Sequence, residues 1–302
     1  MEYIEQLETI CGKYDCPLLR EEPLRKHTTF RIGGNCRAFV DVNSAELLRE
    51  LVKHCKSNSI RFMILGNGSN VLVSDEGYDG VVLVVGKNMS DVTFLDDCMV
   101  RCDAGALLMS VAKKSLDQSL SGMECLAGIP GTIGGALYMN AGAYGGEMAD
   151  VVLSADFIDE DGSLKTVKAE DMELSYRRSM FSGTKRIITS VVLKLRQGKY
   201  DDIRTEMEGY LSQRRAKQPL ELPSAGSTFK RPVGSYASFL IDQCGLKGAS
   251  VGDAQVSTKH AGFVVNTGKA TCKDVLELCD YVIETVKEKT GYQLEMEPVV
   301  LR

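Results

Sequence analysis

Gly128-Ile129-Pro130-Gly131-Thr132-Ile133-Gly134-Gly135-Ala136, followed by Asn140-Ala141-Gly142-Ala143-Tyr144-Gly145-Gly146, decides how this chain is read. Eight of the 25 residues from 122 to 146 are glycine, against roughly 7% in average proteins. Without Cβ atoms in the way, backbone N–H groups in such a loop can close on a phosphate. A shorter segment of the same kind, Leu65-Gly66-Asn67-Gly68-Ser69-Asn70, lies upstream between two apolar runs. Neither contains G-x-G-x-x-G, and G-x-x-x-x-G-K-[ST] is absent, so neither a Rossmann fingerprint nor a P-loop is present. Taken alone, each is read equally well without a ligand, the 65–70 loop as a hairpin turn and the 128–146 stretch as crowded backbone packing. Two so close together favour an anion cradle.

Working outward, Ile4, Leu7 and Ile10 are spaced for one helix face. Ser44 reads as the N-cap of a helix whose apolar face carries Leu47, Leu48, Leu51, Val52 and Cys55. β-type runs follow at 62–65, 71–73 and 81–85, with tight turns expected around Gly66, Gly77 and Gly80. A helix is expected near 107–116, and strands at 151–158, 164–167 and 187–195. Composition shifts near Gly198. A helix over 201–214 carries Ile203, Met207, Tyr210 and Leu211, and a segment holding three of the seven prolines follows it. Thr271 to Asp274 resembles a capping box opening a last helix, and a terminal strand is expected over 293–301. The class is α+β with a boundary near 198.

Charge and cysteine usage narrow the function. Thirty-six basic against 41 acidic residues leave −5, so no global electrostatic case for nucleic acid exists. Ten scattered cysteines without a C-x-x-C pair read as free thiols in a reducing cytoplasm. Three histidines, at 27, 54 and 260, offer no metal-ligand spacing, and no metal site is expected. The first residues lack signal-peptide order and no apolar run is long enough to span a bilayer, so no membrane partner is expected.

Six motifs then arrive in one order: His27-Thr28-Thr29-Phe30-Arg31-Ile32-Gly33-Gly34, the 65–70 loop, the 128–147 stretch, Tyr176-Arg177-Arg178-Ser179, Ala225-Gly226-Ser227-Thr228-Phe229-Lys230 and Leu294-Glu295-Met296-Glu297. Together, over residues 24–301, they resemble the family of UDP-N-acetylenolpyruvoylglucosamine reductases, also called UDP-N-acetylmuramate dehydrogenases. The resemblance implies a vanillyl-alcohol-oxidase type FAD-binding domain over 1–197, built as two α+β lobes (24–85 and 86–197) after an N-terminal helix. A C-terminal α+β substrate-binding domain would span 198–302.

It also implies noncovalent FAD, NADPH as hydride donor, a UDP-sugar enolpyruvyl ether as substrate, and a monomer. The pyrophosphate of FAD would be wrapped by Gly66, Asn67, Gly68, Ser69 and Asn70 together with Gly128, Ile129, Pro130, Gly131, Thr132, Gly134, Gly135, Asn140, Ala141 and Gly142. Arg177 would hold the substrate carboxylate, which suits the planar, always charged guanidinium fork. Arg178, expected on the opposite face of a strand, would be a surface residue. Ser227 would donate a proton to C2, with Lys230 lending a positive field. Glu297 would be the catalytic acidic residue. Glu295 and Glu297 share one strand face, so one of them should be protonated or paired. Tyr176, Lys217, Lys230, Arg231 and Asn266 are candidate substrate contacts. Arg231 stands where other members have asparagine, and the short 181–187 connection matches the branch without an inserted tyrosine loop.

Two other classes compete: another FAD oxidoreductase of the same fold acting on a different sugar or alcohol, and a non-catalytic nucleotide-sugar binding protein. The Arg177, Ser227 and Glu297 set separates the first, and bound flavin colour separates the second. An interaction scaffold is disfavoured by the absence of repeats.

Overall fold

The computed structural model describes residues 2–302. From the N-terminal side come α1 (Glu2–Gly12), β1 (Leu18–Pro23), β2 (Asn35–Asp41), α2 (Ala45–Ser57), β3 (Phe62–Leu65), β4 (Val71–Val73) and β5 (Tyr78–Val84). Next are β6 (Val92–Phe94), β7 (Met99–Asp103), α3 (Leu108–Asp117), β8 (Leu120–Ser121), α4 (Ile133–Tyr138), β9 (Gly142–Ala143) and β10 (Gly146–Glu147). Then follow β11 (Val152–Ile158), β12 (Leu164–Lys168), β13 (Ile187–Lys194), β14 (Arg196–Gln197), α5 (Tyr200–Lys217) and α6 (Ala237–Gln243). The last elements are β15 (Ser250–Val251), β16 (Ala254–Val256), β17 (Val264–Asn266), α7 (Cys272–Thr290) and β18 (Val299–Leu301).

Two compact units share these elements. The first comprises residues up to 20, 38–67 and 80–213; the second comprises 21–37, 68–79 and 214–302. Each therefore interleaves segments distant in sequence.

The first unit is organised by an antiparallel sheet of order β12-β11-β13-β7-β6. Ser44 caps α2 as its spacing predicts, its hydroxyl accepting from the Leu47 N–H at 3.2 Å. Leu47, Leu48, Leu51, Val52 and Cys55 are all fully buried, which accounts for the helix: its apolar stripe is what the core takes. β3 pairs in parallel with β5, in register Phe62 to Val81. The expected turn at Gly80 does not form, because Gly80 lies inside β5; Gly77, at φ +87°, makes the turn instead.

The second unit is built on the meander β15-β16-β17, the helices α6 and α7, and the parallel pair β18-β4. Its core draws Phe30, Ile32 and Leu72 from early in the chain against Val275, Leu278, Cys279, Val282 and Val286 of α7. The predicted capping box is complete: Thr271 accepts from Asp274 N–H at 3.0 Å, and Asp274 accepts from Thr271 N–H at 2.8 Å. Asp75 adds a second cap, accepting from the Cys272 and Lys273 N–H groups at 2.8 and 3.1 Å. A carboxylate there also complements the helix dipole. The terminal strand is shorter than predicted, Val299–Leu301 rather than 293–301. Pro298 has no N–H to continue a ladder, and upstream only an isolated bridge survives, Phe229 with Met296.

Candidate active site

Within the first unit the Gly66-Asn67 end of the shorter loop packs against the 128–132 loop. Asn67 Nδ2 donates to the Pro130 carbonyl at 2.7 Å. A Cβ at Gly66 would meet Thr132 Oγ1 at 2.7 Å, so this approach requires glycine. The Asn67 N–H donates to nothing among the described residues. The same holds for Gly128, Gly131 and Thr132, and Thr132 is only 3% exposed. Buried backbone donors are rarely left without an acceptor. A diphosphate supplies acceptors of this kind, so the loops fit an FAD pyrophosphate. The N-terminal turn of α4 contributes less than its glycines suggest. Ile133 and Gly134 N–H already donate to Ala106 and Ala104 carbonyls, and Gly135 N–H to Thr132 Oγ1.

Tyr176 and Arg177 do not lie on a strand. They are the central residues of a tight turn closed by reciprocal 3.0 Å hydrogen bonds between Ser175 and Arg178. Arg177 has φ +55°, the left-handed region that such a third turn position demands and that glycine or asparagine normally fills. For arginine this costs about 1–2 kcal/mol. Tyr176 is 48% exposed, with the Arg177 guanidinium 5.0 Å from its ring centroid. Arg178 is exposed, now because it follows the turn rather than because it alternates along a strand. Ser179 is buried and its hydroxyl donates to the Tyr138 carbonyl at 2.6 Å.

In the second unit, Ser227 and Glu297 are drawn together by backbone pairing. Lys230 N–H donates to the Glu295 carbonyl and Glu297 N–H to the Thr228 carbonyl, both at 2.9 Å, flanking the Phe229–Met296 bridge. This antiparallel register sets Ser227 one position beyond the Thr228–Glu297 pair. Thr228, 2% exposed, ties the arrangement down. Its N–H donates to the Gly262 carbonyl, and its hydroxyl oxygen accepts from Val264 N–H, both at 2.8 Å. Thr228 is not among the residues that the sequence singles out, and only its place between Ser227 and the buried Phe229 marks it. The Ser227 hydroxyl makes no hydrogen bond among the described residues. The Lys230 ammonium pairs with Glu295 at 2.5 Å.

The remaining candidates scatter. Lys217 ends α5 and is exposed. Arg231 lies over the Tyr236 ring at 4.8 Å. Asn266 is buried and its amide is engaged within the unit, donating to the Phe30 carbonyl and accepting from Gly268 and Ala270 N–H. All ten cysteines are free thiols, and burial pushes Cys11, Cys55, Cys102 and Cys279 up to about 12. No group of three or more His, Cys, Asp or Glu among the described residues could hold a metal, and no helix is long and apolar enough to cross a membrane.

Comparison with known proteins gives one answer. Residues 36–168 match the FAD binding domain family. Residues 218–301 match the family described as UDP-N-acetylenolpyruvoylglucosamine reductase, C-terminal domain. The chain is 45% identical to the UDP-N-acetylenolpyruvoylglucosamine reductase of Agathobacter rectalis, over 93% of this chain and 92% of that one. It is 44% identical to that of Clostridium novyi, over 97% and 94%. The crystal structure of the reductase (MurB) from Thermus caldophilus superposes with a TM-score of 0.81 at 34% identity, over 95% of this chain and 99% of that one.

Proposed function

From the premise that this chain belongs to the UDP-N-acetylenolpyruvoylglucosamine reductase family, we propose how its residues divide the work. It is an FAD-containing oxidoreductase of peptidoglycan precursor synthesis, with an α+β fold. Its reaction in this reading is the NADPH-dependent reduction of UDP-N-acetylglucosamine enolpyruvate to UDP-N-acetylmuramate, carried out by a cytoplasmic monomer. Residues 1–197 serve as the FAD-binding domain and 198–302 as the substrate domain.

Hydride transfer, from NADPH and then to C3 of the enol ether, is the chemistry FAD contributes when bound. Negative charge then builds at C2 and spreads into the adjoining carboxylate. Arg177 holds that carboxylate with a bidentate fork, which stabilises the charge as it forms. Ser227 gives its proton to C2, completing the saturated lactyl ether. Glu297 acts beside it as the acidic residue. Glu295 is paired with Lys230, and it is the position in the Leu294-Glu295-Met296-Glu297 motif that selects Glu297. Tyr176, Lys217 and Arg231 remain proposed substrate contacts, and the two glycine loops hold the FAD diphosphate.

The observation that carries the reading is the Phe229–Met296 bridge, which brings the Ser227 and Glu297 motifs into neighbouring register. An anaerobic titration tests it. NADPH should bleach the yellow protein, and the enolpyruvyl substrate should restore the colour with formation of UDP-N-acetylmuramate. Bleaching without substrate-dependent recolouring would overturn the substrate assignment.

A further inference from the structure

Arg177 sits in a backbone conformation that arginine does not favour, so something outside the turn must hold it there. The neighbouring hydrogen bonds identify what does. Asn140, in the Asn140-Ala141-Gly142 segment, is fully buried and itself left-handed at φ +44°. Its Oδ1 accepts from Ala149 N–H at 2.9 Å, which fixes which way the amide faces. Its Nδ2 therefore points at, and donates to, the Ser175 carbonyl at 3.1 Å. That carbonyl also accepts the Arg178 N–H that closes the turn. On the far side of the turn, Ser179 and Ser182 hydroxyls both donate to the Tyr138 carbonyl, at 2.6 and 2.8 Å. One short segment, 138–140, thus grips the chain on both sides of Arg177.

We infer that Asn140 is a positioning residue for Arg177: its amide fixes the 175–178 turn, and through it the guanidinium that meets the substrate carboxylate. This deepens the role proposed above for Arg177 and rests on it. Both polar ends of the Asn140 side chain are committed to the protein, so its work is on the turn. A displacement of about 1 Å in a binding group is enough to cost up to 10²-fold.

Asn140→Asp is the sharpest variant. It keeps the shape, the tolerance of positive φ and the acceptor for Ala149, but turns the donor facing Ser175 into an acceptor. Calorimetric affinity of the oxidised protein for the enolpyruvyl substrate should fall about 10–100-fold, and the loss should fall mainly on flavin reoxidation by substrate. The decisive measurement repeats the change in an Arg177→Ala background, where it should cost less than about twofold, because the residue it acts through is gone. The same fold-loss in both backgrounds, or no loss in the first, overturns the inference. If Arg177→Ala itself leaves substrate affinity intact, the role of Arg177 falls instead. Should the aspartate unfold the protein, Asn140→Gly takes its place in the same cycle, since it loses the same donor while relieving the strained φ.

Discussion

Around Arg177 the fold works through side chains: an asparagine amide and two serine hydroxyls hold a strained two-residue turn. Around Ser227 and Glu297 it works mainly through the main chain, where a short antiparallel pairing sets the register and the Thr228 hydroxyl, the Asn70 amide and the Lys230–Glu295 pair add side-chain ties. The first arrangement can be undone by changing one atom. The second has no single side chain to remove: short of proline, which takes away an N–H, substitution can only loosen it. Arg177, the residue proposed to hold the substrate carboxylate, is thus placed by replaceable side chains, whereas the proposed proton donor Ser227 and its neighbour Glu297 are placed mainly by backbone pairing.

The largest expected effect separates chemistry from placement. Ser227→Ala should leave reduction by NADPH near its normal rate and slow reoxidation by substrate about 10²–10⁴-fold. Ser227→Cys should recover part of that. Stopped-flow spectra of the two half-reactions check it, and equal slowing of both would reduce Ser227 to a turn residue. Next comes the grip itself: Arg177→Lys keeps the charge but loses the fork, and substrate turnover should fall about 10–100-fold. Arg177→Gly should lose substrate use while melting above Arg177→Ala, which lacks the same side chain, because the roughly 1–2 kcal/mol of left-handed strain disappears only with glycine. A glycine midpoint at or below that of the alanine variant would mean that the turn is not strained.

Loosening the backbone side has a stability readout. Thr228→Val leaves the Val264 N–H without its acceptor and should cost about 1–3 kcal/mol in urea unfolding. A smaller effect follows from pH. Burial holds His260 below its ordinary value of 6.5, and its Nδ1 accepts from Gly262 N–H at 3.2 Å, next to the carbonyl that takes Thr228 N–H. The unfolded chain binds that proton more readily. This part of the stability is therefore present above about pH 6.5 and lost as pH falls below it. His260→Gln should flatten the drop in urea midpoint between pH 7.5 and 5.5 relative to the parent. The smallest effect belongs to the exposed Lys230–Glu295 pair: Lys230→Ala should move stability by no more than about 0.5 kcal/mol.

What the sequence revealed tracks what is local. The faces of α1, α2 and α7, the Ser44 cap and the Thr271–Asp274 box are written in residues within a turn of one another, and all of them form. The glycine loops were legible as unusual backbone, but their contact through Gly66 and Thr132 joins residues far apart in sequence. Tyr176-Arg177 was misread because a turn with arginine at a positive φ contradicts local preference; tertiary hydrogen bonds overrule it. Composition is read along the chain and yields a single boundary near 198, whereas the compact units interleave three segments each. The terminal strand was overextended because alternation continues through Pro298 even though the ladder cannot.

The interleaving also has a consequence for biosynthesis. Asn266 reaches back to the Phe30 carbonyl across 236 positions, Cys272 to Asp75 across 197, and Val299 pairs with Val71 at the far end of the chain. A ribosome makes Phe30, Ile32 and the Val71-Leu72-Val73 strand long before it makes the helix and strand that cover them. Until then a fully buried leucine of the finished protein stands on an open, apolar strand edge. Such edges are where nascent chains associate wrongly. The second unit is therefore the half whose core can close only when the end of the chain has been made, even though a quarter of its residues lie early in the sequence.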